Sequence, residues 1–174
     1  MDFWQAIRRR HSVREFDPDA DVSPEQVQRI LEAAIESPSA GNRQPWHFVV
    51  VRDLAVRQRL VKAAYGQAFL AQAPVVIVVC CDPGRSTPRY GRRGLRLYSL
   101  QDTAAATEHI LLAATALGLG SCWMGAFDEA AATRALGLPK HLRHVALVPI
   151  GHPSTPSSRY TARRPLDQVV SFRE

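Results

Sequence analysis

The run PVVIVVCC, residues 74–81, places seven apolar residues in succession after a proline, five of them β-branched. Neighbouring side chains of a strand point to opposite faces, so both faces of this strand are apolar. Such a segment reads as a strand buried inside a sheet. WHFVVV (46–51) and HVALVPIG (144–151) read the same way. The stretches between them carry helix signals. Ser23-Pro24-Glu25-Gln26 combines a hydroxyl cap, a first-turn proline and a capping-box glutamine. Val27, Ile30, Leu31, Ala34 and Ile35 then form one apolar stripe, which Pro38 closes. Asp53 can cap a second helix reaching about Tyr65, with Gly66 as its stop, and Asp128 a short one reaching about Leu136. Ser99 to Leu117 is alanine-rich and apolar nearly all round, which suits a central helix ended by Gly118 and Gly120. Phe3, Trp4 and Ile7 look like the buried face of an N-terminal helix. With 174 residues the chain has enough length for one core and too little for two. The expectation is a single α+β domain over 1–174, helices on a sheet, with a C-terminal extended arm over 160–174.

Charge and cysteines narrow the classes. No apolar run reaches the roughly 20 residues that span a bilayer, and no secretory h-region follows Asp2. Cys80 and Cys81 are sequence neighbours in a strand, on alternating faces, and cannot form an ordinary bridge. With Cys122 they read as buried thiols of a cytoplasmic protein, and no metal-ligand spacing is present. The net charge of +6 raises nucleic acid as a partner. Yet the excess is local: Arg85, Arg89, Arg92, Arg93 and Arg96 face Asp82 alone, which puts +4 of the total in one segment. Smaller clusters lie at 8–14 and 159–164. No aromatic-interleaved basic strand or recognition-helix pattern accompanies them. The segment from Ser86 to Leu97 has no clean period and reads as a basic loop.

Two constellations can carry chemistry. In RRRHSVREF, 8–16, Arg10, Ser12 and Arg14 alternate in an extended segment and can project together. Guanidinium and hydroxyl donors so placed can grip a phosphate; a solvated basic surface is the alternative. His11, taken alone, is more often structural. In SPSAGNRQPWHF, 37–48, Ser39, Ala40 and Gly41 would let a flat ligand approach the backbone. Asn42 and Gln44 each offer a donor and an acceptor, as a heterocycle edge requires; a helix-to-strand loop with capping amides is the plainer reading. GLGSCWMG, 118–125, is not a dinucleotide fingerprint, because Trp123 stands where a third glycine is needed and no strand precedes it.

Taken in order, RHSVREF, SPSAGNRQPWHFVVV, LGLGSCWMGAF and RRPLDQVV resemble the flavin-dependent nitroreductase family across nearly the whole chain. The resemblance implies a three-layer α/β/α sandwich with a mainly antiparallel sheet. It also implies an intertwined homodimer with exchanged C-terminal arms, and FMN at the subunit interface. NADPH or NADH would pass hydride to the flavin, and nitroaromatics or quinones would receive it. Carried over residue by residue, Arg10, Ser12 and Arg163 resemble phosphate and ribityl ligands, with His11 in the same motif. Arg14 would face the flavin N1–C2=O edge. Ser39, Ala40, Asn42 and Gln44 would line the ring, with Gln67 on its pyrimidine side. Trp123, Met124 and Gly125 would pass beneath it, with a backbone N–H near N5. No side chain is expected to act as acid or base, since the flavin is the reactive centre.

The chain is short for that family, which implies a small or absent helical lid, and Thr161 precedes Arg163 where some relatives carry a second basic residue. Other reactions occur on related scaffolds, among them reductive dehalogenation, azoline oxidation and flavin cleavage. A non-enzymatic nucleic-acid-binding protein is the remote alternative. Arg92 and Arg93 are candidates for contact with the nicotinamide nucleotide or the substrate.

Overall fold

The computed structural model describes residues 1–155 and 161–173. Arg159 of the last basic cluster, and residues 160 and 174 at the ends of the expected arm, lie outside the described residues. In chain order the helices are α1 (Phe3–Arg9), α2 (Pro24–Ile35), α3 (Leu54–Ala63), α4 (Phe69–Gln72), α5 (Thr87–Arg93), α6 (Ser99–Ala116) and α7 (Glu129–Leu136). The strands are β1 (Trp46–Val51), β2 (Val75–Cys81), β3 (Gly120–Ser121) and β4 (Arg143–Gly151). They form one sheet in the order β1-β2-β4-β3, every neighbouring pair antiparallel.

Strand β2 is buried along its whole length, and its alternation divides the core. Val75, Ile77 and Val79 pack with Val27, Ile30 and Ala34 of α2 and Ile110 and Ala114 of α6. Val76, Val78 and Cys80 face the other way, onto Leu60 and Ala63 of α3 and Ala132 of α7. Helices thus cover both faces of an antiparallel sheet. The caps fall where the sequence places them. Ser23 and Gln26 form a reciprocal capping box, Asp53 Oδ1 accepts from Val56 N at 2.8 Å, and Asp128 Oδ1 accepts from Ala131 N at 2.9 Å.

Three expectations change. Strand β1 lies at the sheet edge with one neighbour, so His47 and Val50 are exposed and the strand is only half-buried. Phe3 and Trp4 are 62% and 65% exposed and Ile7 is exposed too, leaving Ala6 as the buried residue of α1. The apolar stripe of α1 therefore points away from its own chain. The basic segment is helical, not a loop. Asp82 caps a turn at Pro83–Arg85, α5 follows, and a π-helical turn at Gly94–Tyr98 runs directly into α6. Gly91 at φ 51, ψ −136 breaks the helix in the middle, which is why no period shows in the sequence.

Candidate functional site

The segment after α1 is pinned to the sheet. Val13 N donates to Ser121 O at 2.9 Å, and a parallel bridge joins Ser12 to Ser121. Residues 12–14 therefore run as an extended ribbon outside β3. Val13 is buried while Ser12 and Arg14 are exposed, as alternation demands. Gly120 makes the approach possible, since a Cβ there would stand 2.9 Å from both Val13 methyl groups. Arg10 closes α1 half-buried, with its Nε 3.9 Å from Glu108 Oε1. His11 Nδ1 lies 2.8 Å from Arg9 O.

Cys122 reports the field at this edge. Burial raises the pKa of its thiol, while Arg14, a hydrogen bond from Ser12 and then Arg10 oppose that rise. Further along, Met124 and Leu147 exchange both backbone hydrogen bonds at 3.0 Å. That exchange commits the Met124 N–H, and its side chain turns into the core, whereas Trp123 and Gly125 are exposed. Gln67 Nε2 donates to Ala64 O at 3.1 Å and Ala126 O at 3.3 Å, tying the end of α3 to the turn after Gly125. Arg10, His11, Ser12, Arg14, Gln67 and residues 123–125 thus gather on the β3 side of the sheet.

Residues 39–44 make a second group. Gly41, Asn42 and Gln44 have φ of 56, 54 and 49. Asn tolerates that region; a glutamine there costs about 1–2 kcal/mol. The bend is held from three sides. Asp102 Oδ1 accepts from Ala40 N at 3.0 Å, Ser39 Oγ accepts from Gln44 N at 3.0 Å, and Gln44 Nε2 donates to Asn42 Oδ1 at 2.9 Å. Arg43 and Arg85 also donate to each other's carbonyl, each Nε at 3.0 Å.

The two groups stand at opposite edges of the sheet. Residues 39–44 lead into β1, and residues 12–14 flank β3, with β2 and β4 between. From β1 to the ribbon outside β3 there are four strand spacings, roughly 19 Å, more than one planar ring system can bridge with contacts on both sides. Arg163 joins neither group. Its Nη1 donates to Thr161 O at 2.8 Å, in an arm whose described residues are exposed. Arg92 is exposed, and Arg93 Nε donates to Tyr98 Oη at 2.7 Å.

Sequence reasoning missed Asp102 and Ser121. Asp102 is a carboxylate on the most apolar helix, a visible signal; burial raises its pKa, partly opposed by the Ala40 N–H. Among the described residues, Asp102 Oδ2 and Ser121 Oγ are buried without a hydrogen-bond partner. Ser121 gives no signal, because its importance comes from the bridge to Ser12. No group of three His, Cys, Asp or Glu side chains able to hold a metal occurs among the described residues. None of their helices is long and apolar enough to cross a membrane.

The donor set suits a phosphorylated flavin: a guanidinium and a hydroxyl, Arg10 and Ser12, for the phosphate end, a second guanidinium, Arg14, for the polar edge of the ring, and amides and open backbone for the ring itself. The sequence profile of the nitroreductase family matches residues 7–69 and 62–152. A relative from Archaeoglobus fulgidus, grouped with NADH dehydrogenases and NAD(P)H nitroreductases, is 40% identical over 161 residues, 90% of this chain and 88% of its own. An NADH dehydrogenase of Thermus thermophilus is 34% identical and aligns with 99% of this chain and 97% of its own. A nitroreductase-type protein from Desulfovibrio desulfuricans, solved in complex with FMN, matches with a TM-score of 0.86 at 34% identity, covering 98% of this chain and 96% of that one. Profile, relatives and fold agree along almost the whole length, and the chain belongs to the nitroreductase family.

Proposed function

We propose that two copies of this chain form a homodimer whose FMN sites each take the Arg10–Arg14 ribbon from one copy and the Ser39–Gln44 loop from the other. The chain is an FMN-dependent NAD(P)H oxidoreductase acting on nitroaromatic or quinone-like acceptors. The observation that carries the two-copy reading is the sheet's width: both groups suit one flavin, and within one chain they lie at opposite edges. Exposed apolar surface agrees with it. Phe3, Trp4 and Ile7 on α1, and Leu166, Val169, Val170 and Phe172 on the arm, are uncovered in one chain. An apolar cavity of about 280 Å³ where α1, α2 and α6 meet is lined by Phe3, Ala33, Leu112 and Ala113 among others. Exchange of the arms would bury such surfaces and carry Arg163 to the partner's site.

FMN, when bound, would supply the hydride-transfer chemistry that links the reduced nicotinamide to the acceptor. The chain's residues bind, orient and set the field. Arg10 and Ser12, with Arg163, hold the phosphate through charge-assisted hydrogen bonds, and His11 braces the turn between them. Arg14 places positive charge at the N1–C2=O edge, where negative charge accumulates on reduction. Asn42 and Gln44, locked to each other, present fixed amides to the ring, while Ser39 and Ala40 let it approach the backbone. Met124 N–H is committed to Leu147 O, so the backbone N–H toward N5 would come from Trp123 or Gly125, and Gly125 has open space around it. Gln67 fixes that turn. The buried free thiols fit a reducing compartment, and we place the protein in the cytoplasm.

An anaerobic titration tests this reading. The purified protein should show flavin absorption that NADPH or NADH bleaches and a quinone restores. A colourless protein, or a flavin neither nucleotide reduces, would refute it.

A further inference from the structure

The arginine-rich segment is built, not merely charged. Tyr90 and Tyr98 meet edge to face with ring centroids 5.1 Å apart. Each carries a guanidinium: Arg89 Cζ lies 5.5 Å from the centre of the Tyr90 ring, and Arg93 Cζ lies 5.2 Å from that of Tyr98. Arg93 Nε also donates to Tyr98 Oη at 2.7 Å. Stacking on a ring fixes the plane of a guanidinium and leaves its outer N–H edge available. Among the described residues, no acidic side chain forms an ion pair with any of the five arginines between 85 and 96.

The pair has a definite address. A Cβ on Gly41 would fall 2.5 Å from Tyr90 Oη and 3.3 Å from Arg89 Cδ and Nε. Arg89 and Tyr90 therefore press on the loop assigned above to the flavin ring. The reciprocal bonds of Arg43 and Arg85 lock the same loop to the start of this segment. A reduced dinucleotide that lays its nicotinamide on that ring must carry its adenosine half past the rim.

We propose that Arg89 and Arg93, each braced by a tyrosine, form a subsite for the adenosine 2′-phosphate of NADPH. The proposal rests on the oxidoreductase reading above. Pyrophosphate oxygens also bear charge, but the 2′-phosphate is a monoester close to doubly ionised at neutral pH, which two guanidinium forks match best. Among the described residues no aromatic ring braces Arg92, the other candidate from sequence, and it is not part of the subsite.

Binding of two fragments to the protein as purified, followed by isothermal titration calorimetry at low salt, tests the assignment without turnover. Adenosine 2′,5′-bisphosphate carries the diagnostic phosphate; adenosine 5′-monophosphate lacks it. The bisphosphate should bind at least about tenfold more tightly, and the advantage should shrink as salt rises. R89A/R93A should erase the advantage while leaving the monophosphate unchanged, with thermal unfolding used to confirm that the variant folds. Y98F keeps the ring and removes the acceptor for Arg93, so it should reduce the advantage by a smaller factor even if the double variant fails to fold. Equal binding of the two fragments, equal losses for both in R89A/R93A, or an undiminished advantage in Y98F would overturn the subsite. If neither NADPH nor NADH reduces the protein and the fragment advantage persists, the oxidoreductase reading fails and the subsite stands.

Discussion

The two arginine clusters of this chain solve one physical problem by different means. A guanidinium at the end of a flexible stem binds an anion well only if its orientation is fixed beforehand. In the 8–14 cluster the backbone fixes it: residues 12–14 are hydrogen-bonded along β3, and alternation sends Ser12 and Arg14 outward from the buried Val13. In the 85–96 cluster side chains fix it, through two tyrosines that carry Arg89 and Arg93. Backbone-fixed donors suit a ligand that stays; ring-braced donors on a short helix suit one that comes and goes. Composition alone makes the second cluster look dominant, since it holds most of the excess charge. The function proposed above gives the resident cofactor to the first.

The largest expected effect breaks the first cluster's completion by a second chain. Truncation after Gly151 removes Arg163 and the apolar arm, and should yield a colourless monomer by light scattering and absorption. A truncated chain that stays dimeric and yellow would remove the two-copy argument. Next, Arg10→Ala should weaken FMN binding by about 1.5–3 kcal/mol, the worth of a hydrogen bond to a charged group. Riboflavin, which lacks the phosphate, should be nearly indifferent, and Arg92→Ala should change neither. A matched fall in riboflavin affinity would mean that Arg10 supports the fold, not the phosphate.

A smaller effect separates backbone fixing from mere proximity. Gly120→Ala forces a Cβ against Val13, at a cost of about 1 kcal/mol or somewhat more. It should loosen the ribbon and reduce FMN affinity together with chemical stability in urea. Gly125→Ala meets nothing within 4 Å and should leave urea stability unchanged. Equal behaviour of the two variants would show that the ribbon's placement does not depend on that contact.

The smallest effect probes the loop on which the second cluster leans. Burial raises the Asp102 pKa above its ordinary 3.8 in the folded chain, so the unfolded chain gives up its proton first. The resulting stability is present below 3.8 and is lost as pH rises through the folded value. Asp102→Asn cannot ionise, and its side-chain carbonyl still accepts from Ala40. The variant should be the more stable at neutral pH, with the difference closing as pH falls below the carboxylate range, read from urea midpoints across pH. A variant less stable at neutral pH, with the deficit closing in acid, would show that the charge itself holds the loop.

Much of this was legible in the chain because it is local. The strand cores follow from β-branched runs, and the helix starts follow from Ser23, Asp53 and Asp128, whose caps act over three residues. What escaped depends on partners distant in sequence. Strand β1 is apolar but for His47, and its place at the sheet edge leaves His47 and Val50 exposed. Ser121 and Asp102 acquire their roles from Ser12 and Ala40. The helicity of 87–98 was masked because Gly91 and the π turn break the period on which a sequence reading relies.

That π turn has a consequence for how such proteins diverge. Gly94–Tyr98 holds one residue more per turn than the helix it feeds. A wide turn takes up its extra residue locally, so deleting one residue there would restore ordinary helical spacing and leave the upstream segment, Arg89 against Gly41 included, close to its place. A deletion in the regular part of α6 has no such buffer and would turn everything upstream by about 100° around the helix axis. The turn is thus the one stretch of this long helix where a change of length need not become a change of direction.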